Sequence, residues 1–270
     1  MLSIMATSLP LRVVRRSPSY WRVTFDSPPI NLVTYEVFAA LGDLVDRMEA
    51  DEDLKVVVFD SADPDFFLAH FDMLPPEVPY TGPTWRDTTT RMARSPVISI
   101  ASVRGRARGV GCEFTLACDM RFASLENAVL GQPEVGAGVT PGGGATERLP
   151  RLVGRGRALE IITGAGDFDA ATAERYGWIN RALPDAELDA YVDRLAHRIA
   201  SFDHKPLSEV KALVNRSTLP SDADLEAGQN TFRASQTWPE AHTRIGRLME
   251  RGMQQRGELE LRLGEHIAEQ

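Results

Sequence analysis

Two uninterrupted apolar runs, LKVVVFD (54–60) and PVISIASV (96–103), constrain this chain more than any other feature. A strand with one face in water alternates apolar and polar residues; one that does not alternate must be covered on both faces. Such coverage comes from helices that cross over between parallel strands. The segment between Val37 and Met48 supplies a helix of that kind. Val37, Phe38, Leu41, Leu44, Val45 and Met48 recur at helical spacing, while Asp43, Asp46, Arg47 and Glu49 occupy the other side. YWRVTFD (20–26) reads as an earlier strand that stops at Ser27-Pro28-Pro29. The chain is therefore expected to be α/β, and its 270 residues suffice for a full hydrophobic core.

Further along, DMRFAS (119–124) and AVLG (128–131) read as short strands, and from about residue 144 the pattern is nearly all helical. A boundary near Phe202 to Pro206 divides an α/β core, residues 1–203, from a helical C-terminal region, residues 204–270. Residues 63–83, DPDFFLAHFDMLPPEVPYTGP, carry five prolines and read as a long surface loop. The residues before Trp21 include arginines and no acid, and read as a ragged tail ahead of the first strand.

The chemistry concentrates after the second apolar run, in GRARGVGCE (105–113). A glycine-rich turn between a strand and a helix invites a nucleotide-binding reading, but the Gly-Lys-Ser/Thr of a phosphate loop is absent. The dinucleotide fingerprint fails as well, because Phe114 stands where its third glycine belongs. What is left is a helix start, whose free amides and positive dipole end suit a developing oxyanion. An acid in a first helical turn, such as Glu113, is commonplace there. Glu134 gives it a different meaning. It sits in the rigid turn GQPEVGAG, beyond a strand pair that can bring the chain back to the same place. Two carboxylates at one apolar pocket push their pKa values apart, so that one serves as acid and the other as base.

The stretch from Pro96 to Gly164, and more loosely the chain from Trp21 to Phe202, resembles the enoyl-CoA hydratase/isomerase, or crotonase, family. That resemblance implies a crotonase-like spiral of ββα units with C-terminal helices that build homotrimers, often paired into hexamers. It also implies an acyl-coenzyme A thioester as substrate, with the thioester oxygen held by two backbone amides. In AHFD (69–72), which matches the family's A-G-A-D, the donor is Phe71; in the glycine turn it is Val110. Ala69, His70, Phe71 and Asp72, together with Gly109 and Val110, are thereby expected at the acyl-CoA, with Glu113 as the base that activates water and Glu134 as the acid. Neither a metal nor a redox cofactor is called for, coenzyme A arriving as part of the substrate.

The departures from the family pattern matter. Val110 keeps an amide where the family has glycine, but a β-branched residue resists positive φ, and a donor that needs that conformation is mis-aimed. Phe71 narrows the acyl pocket, and His70 titrates near neutrality although its backbone role suffices. Asp72 reads as a cap or loop brace, Leu125 as one harmless extra residue in the SLEN turn, and Arg104, Arg106 and Arg108 as an exposed basic turn rather than a site for coenzyme A phosphates. Ser102, Cys112 and Thr146 lack the neighbours of a nucleophilic triad.

Charge and cysteines complete the expectations. A net charge of −8 gives no support to nucleic acid or an anionic membrane as partner, and no apolar stretch is long enough to span a bilayer. Cys112 and Cys118 lie on mismatched faces of one expected helix, so a disulfide is disfavoured, both read as buried structural thiols, and a reducing, cytoplasmic setting is expected. The five histidines form no ligand-spaced cluster. Hydration of a 2-enoyl-CoA is the leading reading. A Δ3-Δ2 isomerase working through one carboxylate, and an acyl-CoA-binding protein with little turnover, are the alternatives.

Overall fold

The computed structural model describes residues 10–74 and 79–269. In chain order its elements are β1 (Leu11–Ser17), β2 (Tyr20–Phe25), α1 (Tyr35–Ala50), β3 (Val56–Ser61), β4 (Phe66–Leu68), α2 (Trp85–Arg94), β5 (Ile98–Val103), β6 (Arg106–Arg108), α3 (Val110–Ala117), β7 (Met120–Ser124) and β8 (Val129–Gly131). There follow α4 (Ala145–Val153), α5 (Arg155–Gly164), β9 (Asp167–Asp169), α6 (Ala170–Tyr176), β10 (Arg181–Leu183), α7 (Asp185–Ala200), α8 (His204–Thr218), α9 (Asp222–Ser235), α10 (Pro239–Glu250), α11 (Glu258–Leu261) and α12 (Leu263–His266).

The strands form a six-stranded sheet, β1-β2-β3-β5-β7-β10, and a four-stranded sheet, β4-β6-β8-β9. Three consecutive strand pairs, β3–β4, β5–β6 and β7–β8, each give one strand to the first sheet and the next to the second, and a helix follows each pair. The chain thus climbs as a spiral of ββα units. Parallel pairing holds throughout except where β1 meets β2 and β8 meets β9.

The non-alternating runs have the expected cause. Along β3, Val57 and Phe59 pack into the main core with Val37, Leu41 and Leu44 of α1, while Val56 and Val58 pack on the opposite face against Leu188, Val192 and Ala196 of α7. Each such valine, fully buried, contributes about 1.5–3 kcal/mol. Phe25, Phe59 and Phe114 meet edge to face at centroid distances of 4.9–5.2 Å, apart from the more distant stacking of Phe25 on Phe59 at 6.2 Å, and so tie α3 to the large sheet.

Several expectations need correction. Residues 11–17, read as tail, form β1, a charged edge strand whose arginines face water, which is how edges avoid further pairing. Residues 1–9 of that tail lie outside the described residues. The expected loop over 63–83 contains β4, whose Phe66, Phe67 and Leu68 are fully buried; its residues 75–78 lie outside the described residues. Two strands, β9 and β10, interrupt the region read as all helical. Cys112 and Cys118 are buried and free, as expected, but Cys118 lies just past the end of α3. Among the described residues, no helix is long and apolar enough to cross a membrane.

Candidate active site

α3 is buried along its whole length, and its glycines decide how it sits. A Cβ on Gly111 would lie 2.3 Å from the Leu68 carbonyl oxygen, so only glycine lets the helix rest on the backbone of β4. The chain enters α3 through Gly109 at φ 51° and ψ −127°, a conformation closed to side-chain-bearing residues. Val110, by contrast, is the first helical residue and is absent from the positive-φ positions. The strain expected at Val110 is therefore carried one residue earlier, and valine keeps an ordinary helical backbone. As a first-turn residue its N–H has no partner inside the helix.

Phe71 follows β4 and bridges Val33 in parallel. The Val33 N–H donates to the His70 carbonyl at 3.1 Å and the Asp72 N–H donates to the Val33 carbonyl at 3.0 Å. In a parallel bridge those two bonds turn the central residue's own N–H the other way. The Phe71 amide accordingly donates to no described backbone or side-chain acceptor. Its carbonyl lies 3.0 Å from His70 Nδ1.

The two glutamates reach one cavity from different surroundings. Glu113, in the first turn of α3, is 2% exposed. Its Oε1 accepts the Gly143 N–H at 2.8 Å and the Ala145 N–H at 3.0 Å, so the carboxylate caps the start of α4. Burial raises its pKa, the two amide bonds oppose that, and the balance leaves it at about 7. Glu134 stands in the turn after β8, and its buried Oε2 has no hydrogen-bond partner among the described residues. Burial, and next the charge of Glu113, hold its pKa well above the ordinary carboxylate range. The two groups are thus separated by environment: Glu113 has donors for its ionised form, and Glu134 favours its neutral one.

The cavity encloses about 310 Å³, the lower end of the ~300–1,000 Å³ span of small-molecule sites. Tyr35, Phe38, Phe71, Tyr80 and Trp85 form an aromatic wall, with Phe38 stacked on Phe71 at 5.6 Å and tilted over Trp85 at 5.0 Å. Late segments of the chain also line it, through Phe232 of α9, Met253 in the turn after α10 and Ile267 just past α12.

Of the residues expected at the site, His70, Phe71, Val110, Glu113 and Glu134 line this cavity. Ala69, Asp72 and Gly109 do not. Ala69 is packed with Ile30 and Phe66, its N–H donating to the Asn31 carbonyl, and the Gly109 N–H donates to the Gly131 carbonyl. Asp72 is the expected brace: its Oδ1 accepts the Leu74 N–H at 2.9 Å and Gln254 Nε2 at 2.6 Å. Leu125 lies exposed in its turn. The reading of the three arginines as an exposed turn is overturned. Arg106 and Arg108 belong to β6, Arg104 pairs with Asp185 and Asp189, and Arg108, 1% exposed, grips Asp167 through Nε and Nη2 at 2.7 and 2.6 Å. Their charges are spent on carboxylates and carbonyls of the chain itself, which a run of alternating Arg and small residues does not reveal.

Sequence reasoning also missed Glu260. Fully buried in α11, it sets Oε1 2.7 Å from His70 Nε2. Nothing in GELELRLGEH marks one glutamate as interior.

Known proteins share this architecture. The family model for enoyl-CoA hydratase/isomerase matches residues 16–255. A crotonyl-CoA hydratase of Syntrophomonas wolfei is 43% identical over 125 residues, covering 46% of this chain and 47% of that protein. A short-chain-enoyl-CoA hydratase of Clostridium acetobutylicum is 44% identical over 117 residues, covering 43% and 44%. The chain thus spans about half the length of the curated relatives it matches. A solved structure from Streptomyces avermitilis, whose name assigns it provisionally to the enoyl-CoA hydratases, is 41% identical with a TM-score of 0.92, covering 99% of each chain.

Proposed function

The chain belongs to the enoyl-CoA hydratase/isomerase family, and on that premise we propose that it adds water across the 2,3 double bond of an acyl-coenzyme A thioester. The observation that carries this reading is the pair of glutamates at one cavity in opposite hydrogen-bond surroundings, Glu113 with two amide donors and Glu134 with a bare Oε2.

The reaction follows from what each group can do. The thioester oxygen takes the Phe71 and Val110 amides, neither of which has a competing acceptor among the described residues. Ionised Glu113 removes a proton from water as its oxygen bonds to the β-carbon; the π electrons move to the thioester oxygen, where one well-aimed amide is worth about 3 kcal/mol. Neutral Glu134 then delivers its proton to the α-carbon, the carbonyl re-forms, and Glu113 is left protonated and Glu134 ionised. Proton exchange between them or with solvent restores the starting state. Two amides and two carboxylates suffice for these steps, without a metal or redox group.

The aromatic wall and small volume favour a short or flat conjugated acyl group. We further propose that copies of this chain associate as a trimer or a pair of trimers. Val210, Leu213 and Val214 of α8 are each more than half exposed, an apolar face suited to a second copy; sedimentation that finds only a monomer would refute this. A cytoplasmic setting accords with the two free thiols.

The test is incubation with short, medium and aryl 2-enoyl-CoA thioesters, following loss of the conjugated thioester absorbance. Turnover is expected, and it should fall by orders of magnitude in both Glu113→Gln and Glu134→Gln. Loss in Glu134→Gln alone, with a shifted double bond as product, would replace hydration by isomerisation. Tight acyl-CoA binding with no turnover on any enoyl-CoA would make this a binding protein.

A further inference from the structure

His70 is 5% exposed and Glu260 fully buried, and each has more than one partner. Nε2 of His70 faces Glu260 Oε1 at 2.7 Å, and Nδ1 faces the Phe71 carbonyl oxygen at 3.0 Å. Both atoms opposite the ring are acceptors, whereas a neutral imidazole has a single N–H. Only the imidazolium, donating from both nitrogens, satisfies the arrangement. Burial is the largest single influence and works against a charged ring, but the charge and hydrogen bond of Glu260 together with the Phe71 carbonyl outweigh it and raise the affinity of His70 for its proton. The other charged groups near the ring are Arg108 of β6, which Asp167 neutralises, and Glu134, which shares the Gly109 surface with the His70 Cβ.

The same carboxylate organises the loop beyond. Glu260 Oε1 also accepts the Gln254 N–H at 2.7 Å, and the Gln254 side chain accepts the Met73 N–H at 3.1 Å while donating to Asp72 at 2.6 Å. Gln254 holds φ at 69°, a backbone position that costs a non-glycine residue energy and persists only where its surroundings enforce it. Phe71 is consequently held from three directions: by Val33 at the flanking peptides, by the imidazolium at its carbonyl, and by Gln254 at the next two residues.

We propose that Glu260 and His70 are positioning residues for the oxyanion hole, the carboxylate holding the imidazolium that fixes the Phe71 backbone so that its amide meets the thioester oxygen. Neither residue touches the reacting atoms in this role. The proposal rests on the reading of Phe71 as an oxyanion donor.

The test uses the full-length protein and a para-dimethylamino-cinnamoyl-CoA thioester, whose absorption moves to longer wavelength as its carbonyl is polarised. The wild type is expected to bind this probe with a pronounced red shift. Glu260→Gln should bind it within about threefold of the wild-type Kd, lose at least half of the shift, and lose about 10- to 100-fold in kcat on an enoyl-CoA, the scale of a mis-set reacting geometry. In this variant the red shift, measured against the wild type at each pH so that the titration of Glu113 cancels, should recover as pH is lowered from 8 to 5 and His70, no longer held charged by Glu260, regains its proton. Glu260→Asp should restore much of the shift. Should Glu260→Gln fail to fold, His70→Gln carries the same expectations of lost shift and lost kcat. Variants that keep both shift and kcat within twofold of wild type across that pH range overturn the proposal. A wild type that shows the red shift but no hydration, with the shift lost in the variants, upholds the positioning role and removes the hydratase reading; a wild type that gives no red shift overturns both.

Discussion

Glu113 offers the most direct quantitative check, because its burial ties catalysis to stability. Unfolded, its carboxyl gives up its proton near the ordinary value of 4.5; folded, it keeps it to about 7. At 1.36 kcal/mol per pKa unit the difference is about 3 kcal/mol. Between those two pH values the folded state binds more protons than the unfolded, so this group's contribution is fully present below the lower pKa and is lost as pH rises through the higher. Most of that loss falls between pH 5 and 8. Glu113→Gln cannot titrate. Urea unfolding followed by tryptophan fluorescence, on wild type and variant at one fixed protein concentration because association itself stabilises, should therefore show wild type losing about 2–3 kcal/mol relative to the variant from pH 5 to pH 8. The acid limb of kcat/KM should have its midpoint near the same pH of about 7. A stability difference that changes by less than about 1 kcal/mol over that range would mean that Glu113 titrates like a surface carboxyl, and the argument for it as a base poised near neutrality would fail.

Gly109→Ala forces a side chain into φ 51° and sets its Cβ 2.7 Å from Glu134 Oε1, so kcat should fall at least tenfold with a stability loss of about 1–3 kcal/mol, measured by steady-state kinetics and denaturation. Val110→Gly should leave kcat within about threefold while losing about 2 kcal/mol of burial, because Val110 is already helical; a kcat that rises tenfold would show that valine does mis-aim the amide. Arg108→Met strands the Asp167 carboxylate and two carbonyls of α11, and the melting temperature should drop by roughly 10 °C from a loss of about 3–5 kcal/mol.

What the sequence disclosed and what it hid divide along sequence distance. The strands at 54–60 and 96–103, the helix at 37–48 and the Gly-rich entry to Glu113 are written in local periodicity and turn chemistry, and they appear where that chemistry puts them. Glu134 was legible because only short strands separate it from Glu113. The partnership of His70 with Glu260 joins positions 190 residues apart, and no local pattern distinguishes that glutamate from its exposed neighbour Glu258. β4 and β6 are three residues each, too short for any period to register, and are strands only because they lie beside one another and β8. The arginines of β6 looked like a solvated turn for the same reason: the Asp167 carboxylate that Arg108 grips and the Leu261 carbonyl that Arg106 reaches arrive from later elements.

The cap that Glu113 places on α4 has a further meaning. The carboxylate's affinity for a proton depends on how closely the Gly143 and Ala145 amides approach it, and those amides move with the helix. α4 is seated by Leu149, fully buried on its core side and absent from the cavity wall. A slight tilt of that helix, set by packing at Leu149, would retune the acidity of Glu113 with no change in any side chain of the cavity wall. The pH at which such a protein works is then as much a matter of how one helix is mounted as of which residues face the substrate.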